Sequence, residues 1–259
     1  MAVRVERDGV STESSAGVQA SVVVAVAIFS VRTDAAGRPS LQVLLVRRAA
    51  EPFAGYWSLP GGKLWGGEAL DEAASRQLVE KTSLRPAYLE QLYTFELHDH
   101  ARQLEAAVVG YYALVRTDRA EIAAGRKTME AAWFPVDGTP TPLAFDNDEV
   151  LHFALRRLRG KVEYAHVAFQ FLPPSFTLAQ LRAVYEVILG RRIDPTNFRR
   201  RVEATGTIAP TGHVLSGGRH RPPALYRCAD DPATLVKTMR PRRALKSQPG
   251  RHTTTPLTT

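Results

Sequence analysis

Gln77, Glu80 and Lys81 stand at positions i, i+3 and i+4 of a stretch, 69–81, patterned as a helix, so all three share one face. Carboxylates at that spacing can hold Mg²⁺ against a diphosphate, because the ion takes near-octahedral oxygen ligands from one or two carboxylates plus phosphate and water. Here the set is an amide, a carboxylate and an ammonium. The amide offers a weak carbonyl ligand at best, and an ammonium a few ångströms away opposes the ion by about 4 kcal/mol at an effective dielectric near 20. Glu80 by itself also reads as a solvated helix charge. A second group, His98, Asp99 and His100, puts two imidazoles on one strand face. No second cluster at ligand spacing accompanies it, so a surface loop is the preferred reading and no metal site is assigned. A third group is of another kind: Asn197, Arg199, Arg200 and Arg201 bring an amide and guanidinium groups to one short segment, the types that read base edges in DNA. Arg219, His220 and Arg221 form a separate cluster suited to phosphate.

The charge balance separates these groups. From Lys161 onward there are sixteen Lys/Arg against six Asp/Glu, a net +10, whereas residues 1–160 carry a net −2 out of the chain's +8. Such asymmetry points to a polyanion partner for the second part, nucleic acid ahead of membrane. Cys228 is the lone cysteine, which removes a disulfide framework and a cysteine-rich zinc site and gives no sign of an oxidising compartment; the cytoplasm is expected. The apolar run from Val22 to Val31 is too short to span a bilayer, and Glu6, Asp8 and Glu13 stand where a signal peptide carries positive charge. It reads as a buried β-branched strand, and no membrane partner is expected.

The elements that must position these side chains follow. Residues 1–20 read as a mobile arm. Strands are expected at 21–31, 41–46, 88–96 and 108–115, and helices at 69–81 and 147–159. Around Gly160 the pattern changes. Thr177 and Gln180 form a capping box for a helix over 178–189 ended by Gly190, and Asp194-Pro195 is an N-cap and N1 pair for a helix over 195–204 stopped by Gly206. Two helices joined by a short turn, the second bearing the arginines, make a helix-turn-helix; Phe198 and Val202, four apart, are expected in its core. Val214 to Tyr226 reads as a strand, a Gly/Arg tip and a returning strand, which is a wing. Residues 240–259, with Arg240, Arg242, Arg243, Lys246 and Arg251 among Pro and Thr, read as a basic disordered tail.

Two resemblances join these parts. Gly62-x5-Glu68-x7-Arg76-Gln77-Leu78-x-Glu80-Lys81-x-Ser83-Leu84 has the spacing of a Nudix box, and Val43–Arg48 with Phe53–Gly62 upstream, and Trp133–Val136 with Leu143–Asn147 downstream, are similar to segments that flank the box in that family. The family's three metal-binding glutamates correspond to Gln77, Glu80 and Lys81, and its Glu and Arg that brace the loop against the helix correspond to Glu68 and Arg76. Phe176–Gly190, Asp194–Arg200 and Gly218–Arg227 are similar to the winged-helix half of the Nudix-related transcriptional regulators of the NrtR type. The resemblance implies an N-terminal Nudix α/β/α sandwich over 21–160, followed by a winged helix-turn-helix over 161–239. It further implies a homodimeric bacterial repressor of NAD-metabolism genes that binds a double-stranded DNA operator and senses ADP-ribose or a related nucleotide. No catalytic residue and no required cofactor are expected.

For such a ligand, held without a catalytic metal, cations and backbone N–H groups must meet the diphosphate and aromatic surfaces the base. Arg47, Phe53 and Trp57 are the candidates, with Gly61 and Gly62 allowing close backbone approach. Arg47 reads equally as a strand-edge charge and Trp57 as core. The expected DNA contacts are Thr196, Asn197, Arg199, Arg200 and Arg201 on the helix and Arg219, His220 and Arg221 on the wing. Two alternatives stay open: an active ADP-ribose pyrophosphatase with an appended basic domain, and a repressor of the same architecture controlling sugar-utilisation genes.

Overall fold

Strand β1 (Ser21–Thr33) carries an almost unbroken apolar sequence because both of its faces are covered. Alternate residues divide between two cores: Val24, Val26 and Ile28 pack with Ala73, Ala74 and Leu78 of helix α1 (Leu70–Thr82), while Ala25, Ala27, Phe29 and Val31 face helix α2 (Asn147–Val162). A period of two that buries on both sides leaves little place for polar residues, and the buried Ser30 donates to the Val115 carbonyl at 3.0 Å. The computed structural model describes residues 21–34, 36–99, 104–122, 128–162, 166–215 and 222–229. The arm at 1–20, the wing tip and the tail at 240–259 lie outside the described residues.

The sheet is mixed. Strand β2 (Pro39–Arg48) pairs antiparallel with β1, and β6 (Leu104–Leu114) pairs parallel with β1 and antiparallel with β5 (Tyr88–Asp99); β7 (Thr128–Pro135) adds to the outer side of β2. With α1 on one face and α2 on the other, this is the expected α/β/α sandwich. Strands β1 and β2 remain paired only over Ile28–Thr33 and Pro39–Leu44. Beyond that they part, and two short strands fill the gap: β3 (Trp57–Ser58) pairs with β2, and β4 (Gly61–Lys63) pairs with β1. The chain between them enters the sheet at the point where a cleft opens.

Helix α2 continues through Gly160 to Val162, beyond the end expected at Arg159. Gly160 faces open space, so the helix loses only the modest propensity of one glycine there. The end of α2 is fixed to the sheet by a buried ion pair, Lys161 Nζ to Glu90 Oε2 at 2.6 Å. After a 3-10 turn over His166–Phe171 come α3 (Leu178–Leu189) and α4 (Pro195–Ala204), then the antiparallel pair β8 (Ile208–Val214) and β9 (Ala224–Cys228). The core on the α2 face does not stop at α2. Phe171, Phe176, Leu181, Val184, Ile188, Phe198 and Val202 belong to the same buried cluster as Val43 and Leu45 of the sheet. Each fully buried side chain of this size contributes about 1.5–3 kcal/mol, so the junction is held as firmly as a domain interior. Among the described residues no helix is long and apolar enough to cross a membrane.

Candidate effector cavity and nucleic-acid interface

The cleft between the parted strands is a cavity of about 740 Å³. Its walls come from the ends of β1 and β2, from β4, from the face of α1 and from the start of α2. Five cations line it (Arg47, Arg48, Lys63, Arg76 and Lys81) against three acids (Glu51, Glu80 and Glu105).

The box helix is largely occupied with itself. Arg76 Nε donates to Glu68 Oε1 at 2.6 Å and Nη2 to Glu68 Oε2 at 2.7 Å, with Nη2 also 3.2 Å from the Lys63 carbonyl and Nη1 3.4 Å from Glu80 Oε2. The hydrogen bonds from Arg76 hold the Glu68 carboxyl down at about 2. Gln77, buried beneath β4, completes the arrangement: its side-chain amide sits 2.9 Å from both the Gly61 carbonyl and Arg76 Nη1, and the orientation that satisfies both neighbours has its nitrogen donating to the carbonyl and its oxygen accepting from the guanidinium. A glutamate in this place would set a carboxylate oxygen against a carbonyl oxygen, two acceptors that need a cation between them. The amide supplies an N–H instead. Glu80 is engaged by Arg76 at 3.4 Å, and Lys81 adds an ammonium to the lining of the same cavity.

Gly61 and Gly62 line the cavity, and the protein itself needs both of them small. A Cβ on Gly61 would run into the Val24 carbonyl oxygen, and one on Gly62 would lie 2.6 Å from the Gln77 side-chain amide. Arg47 also lines the cavity; its Nε donates to the Gly55 carbonyl at 3.0 Å and its Nη1 lies 3.8 Å from Glu130, an exposed pair. Arg48 folds onto its own loop, donating to the Pro52 and Ala50 carbonyls at 2.9 and 3.2 Å with its guanidinium over the Phe145 ring.

Two expected contacts do not reach the cavity lining. Trp57 is partly buried and packs edge-on against Phe134 at 4.9 Å beside the α2-side core. Phe53 lies behind Phe145, ring centroids 4.8 Å apart, and it is Phe145 that lines the cavity. Beside Phe145, Asn147 opens α2 and accepts from the Leu59 N–H at 2.9 Å. Lys63, Trp65, Arg76 and Lys81 enter the lining without having been assigned to a ligand from sequence. Lys81 had a signal in the sequence: a cation stands where the box pattern places an acid.

The helix-turn-helix forms as its caps dictate. Thr177 accepts from the Gln180 N–H and Gln180 reaches back to the Thr177 N–H, Gly190 closes α3 at φ 66°, and Asp194 caps α4 by accepting from the Asn197 N–H at 2.8 Å. Phe198 and Val202 are buried, Phe198 edge-on to Tyr185. At about 100° per residue, Arg200, two residues from each, points directly away from that buried stripe. Thr196, Asn197, Arg199 and Arg201 are also exposed. Arg200 Nη2 donates to Asn197 Oδ1 at 3.0 Å, while Arg199 is paired with Glu203 at 3.0 Å. The wing strand begins at Ile208, earlier than the expected Val214, and a two-way bridge between Phe176 and Tyr226 ties the returning strand to the start of α3. Arg219, His220 and Arg221 lie outside the described residues. β5 runs through Asp99, so His98 and Asp99 are strand residues where a loop was expected. Among the described residues no group of three His, Cys, Asp or Glu could hold a metal ion.

A Nudix sandwich carrying a winged helix on its sheet is the architecture defined by these observations. Residues 22–153 match the NUDIX domain family and residues 168–228 the NrtR DNA-binding winged helix domain. The chain is 34% identical over 209 residues, 80% of its own length and 81% of the other's, to the "ADPR responsive transcriptional repressor NtrR" of Acinetobacter baylyi. The crystal structure of Shewanella oneidensis NrtR complexed with a 27mer DNA is similar at a TM-score of 0.70 and 33% identity, covering 83% of this chain and 95% of that one. An ADP-ribose pyrophosphatase of Methanocaldococcus jannaschii is 30% identical over 119 residues, 46% of this chain and 69% of that protein. The chain belongs to the NrtR family of Nudix-related transcriptional regulators.

Proposed function

We propose that this chain is a DNA-binding transcriptional repressor whose Nudix cavity takes ADP-ribose or a related nucleotide as effector and does not cleave it. The observation that carries the reading is the Gln77 side-chain amide set 2.9 Å from the Gly61 carbonyl, where assigning its nitrogen as donor satisfies both groups. A side-chain amide stands where a carboxylate would need a metal, and Arg47, Lys63 and Lys81 line the cavity that would receive a diphosphate. The DNA contacts are Thr196, Asn197, Arg199, Arg200 and Arg201 together with Arg219, His220 and Arg221, and the cell compartment is the cytoplasm. A homodimer would present two α4 helices to half-sites about one helical turn, roughly 34–36 Å, apart. NAD-metabolism genes are the expected regulon.

Coupling has a physical route. Helix α2 has sixteen residues, about 24 Å at 1.5 Å per residue. Its first residue and the preceding Phe145 line the cavity, and near its far end Arg159 Nε donates to the Ile188 carbonyl of α3 at 3.0 Å. Strand β2 runs alongside, with Arg47 and Arg48 at the cavity and Leu41 and Val43 in the core shared with α3. A ligand that displaces Phe145–Asn147 therefore moves a rigid rod seated on the helix-turn-helix.

The test is operator binding by the full chain, followed by fluorescence anisotropy with and without ADP-ribose. ADP-ribose is expected to change operator affinity, and operator DNA to change ADP-ribose affinity by the same factor. The same preparation with Mg²⁺ or Mn²⁺ should show no turnover near 1 s⁻¹, an ordinary enzymatic rate being about that or more. Turnover abolished by Glu80→Ala would establish the hydrolase reading in its place.

A further inference from the structure

We propose that Trp65 is the platform on which the effector's base stacks, making the cavity selective for a nucleotide over a base-free sugar phosphate without fixing which base. The inference rests on the effector reading above.

Trp65 follows β4 and lines the cavity, yet it is 61% exposed, among the most exposed large apolar side chains described. A single exposed tryptophan on a surface needs no explanation. This one is held in place. Its backbone N–H donates to Glu68 Oε2 at 3.0 Å, and its carbonyl accepts from the Glu68 N–H at 3.2 Å. The Arg76 guanidinium lies over the indole ring, 3.8 Å from its centroid, and that guanidinium is itself fixed by two hydrogen bonds to Glu68. One face of the indole is thus covered by a cation tied down by Glu68, and the ring, which lines the cavity, keeps 61% of its surface exposed. A ring ordered before ligand arrives loses little freedom on binding. Trp57 and Phe53, the aromatic residues expected from sequence, pack against Phe134 and Phe145 and leave this role unfilled.

The neighbouring chemistry sets the ligand class. Lys63 and Lys81 share the cavity with Trp65, so a π-face and two cations lie within one volume of about 740 Å³. That combination suits a planar base joined to a diphosphate. Stacking accepts any base, because each has a π-face. Glu68 and Arg76, the polar groups in contact with Trp65, are engaged with each other, so the platform itself does not read base edges.

The experiment uses the full chain, with Trp65→Ala and Trp65→Phe, titrated calorimetrically with ADP-ribose and with ribose 5-phosphate while tryptophan fluorescence is followed. ADP-ribose should quench the wild-type emission. Trp65→Ala should weaken ADP-ribose by at least about 5-fold, the lower bound for a base on an aromatic ring, and Trp65→Phe should recover most of the loss. Ribose 5-phosphate should bind all three proteins alike. Equal ADP-ribose affinity in wild type and Trp65→Ala would overturn the proposal, as would a parallel loss of both ligands, which would make Trp65 a structural brace. Failure of wild type to bind ADP-ribose would refute the effector reading itself and this inference with it.

Discussion

Helices α1 and α4 both carry several charges and treat them in opposite ways. On α1, Arg76 and its partner Glu68 have side chains only 13% and 11% exposed, and Gln77 is buried; the polar groups satisfy one another and the backbone of β4. On α4 the ion pair of Arg199 with Glu203 is 62% and 41% exposed, and Arg200 stands directly opposite the buried stripe. A charge matched inside the fold braces a scaffold. A charge left to water is available to a polyanion. The two helices thus mark two kinds of site in one chain: α1 shapes a cavity by internal pairing, and α4 offers its pairing capacity outward.

The largest expected effect comes from breaking α4 on its inner side. Phe198 is 6% exposed and shares the core that continues into the sheet. Phe198→Ala should cost about 3–5 kcal/mol in urea unfolding, and one transition should be seen because that core is shared. Two separate transitions would show that the winged helix unfolds independently of the sandwich. On the outer side the loss should be in binding and not in stability. Arg200→Ala should weaken operator binding by about 1–3 kcal/mol and relax preference at particular base pairs, with the melting temperature unchanged. A uniform loss across all sequences in anisotropy titrations would place Arg200 on phosphate instead.

Glu68→Gln tests the internally matched helix. Glu68 is held at about 2, below its ordinary 4.5, so its contribution to stability is present above pH 4.5 and disappears as pH falls toward 2. The variant should be less stable than wild type at pH 7, and the difference should shrink through that acid window. A gap between their unfolding midpoints that stayed constant from pH 5 to about 2 would contradict the pairing.

How much of this was legible in sequence depends on the range of the forces involved. The caps at Thr177 and Asp194 act over three residues, so α3 and α4 begin where the residues say. The two-sided burial of β1 shows in its apolar run from Val22 to Val31, interrupted by Ser30 alone. The wing strand was read too late because Pro210 and Gly212 lie inside it; they are tolerated in an irregular two-stranded ribbon whose register shifts between Pro210 and Val214. The cavity was harder. Whether Trp57 faces ligand or core depends on how β3 enters the gap between β1 and β2. Trp65, Lys63 and Lys81 come together only once β4 is laid against α1, and no local periodicity records that contact.

The smallest expected effect is also the sharpest test of the contrast between the helices. Glu203 holds Arg199 at 3.0 Å on the exposed surface of α4. An exposed i, i+4 pair is worth only about 0.3–0.5 kcal/mol, and the order here, cation before acid, is the less favourable one on a helix. Glu203→Ala should therefore leave the melting temperature nearly unchanged. Near DNA the balance differs, because the carboxylate repels the phosphates and occupies a guanidinium that could serve them. Removing it should tighten operator binding at low salt by roughly twofold to fivefold, with the gain fading as salt rises. If Arg199 then takes up a phosphate, the salt dependence should steepen by about 0.9 in log–log slope. Were both Glu203→Ala and Arg199→Ala silent at low salt, that flank of α4 would lie away from the DNA, and the helix would engage the groove through Asn197 and Arg200 alone.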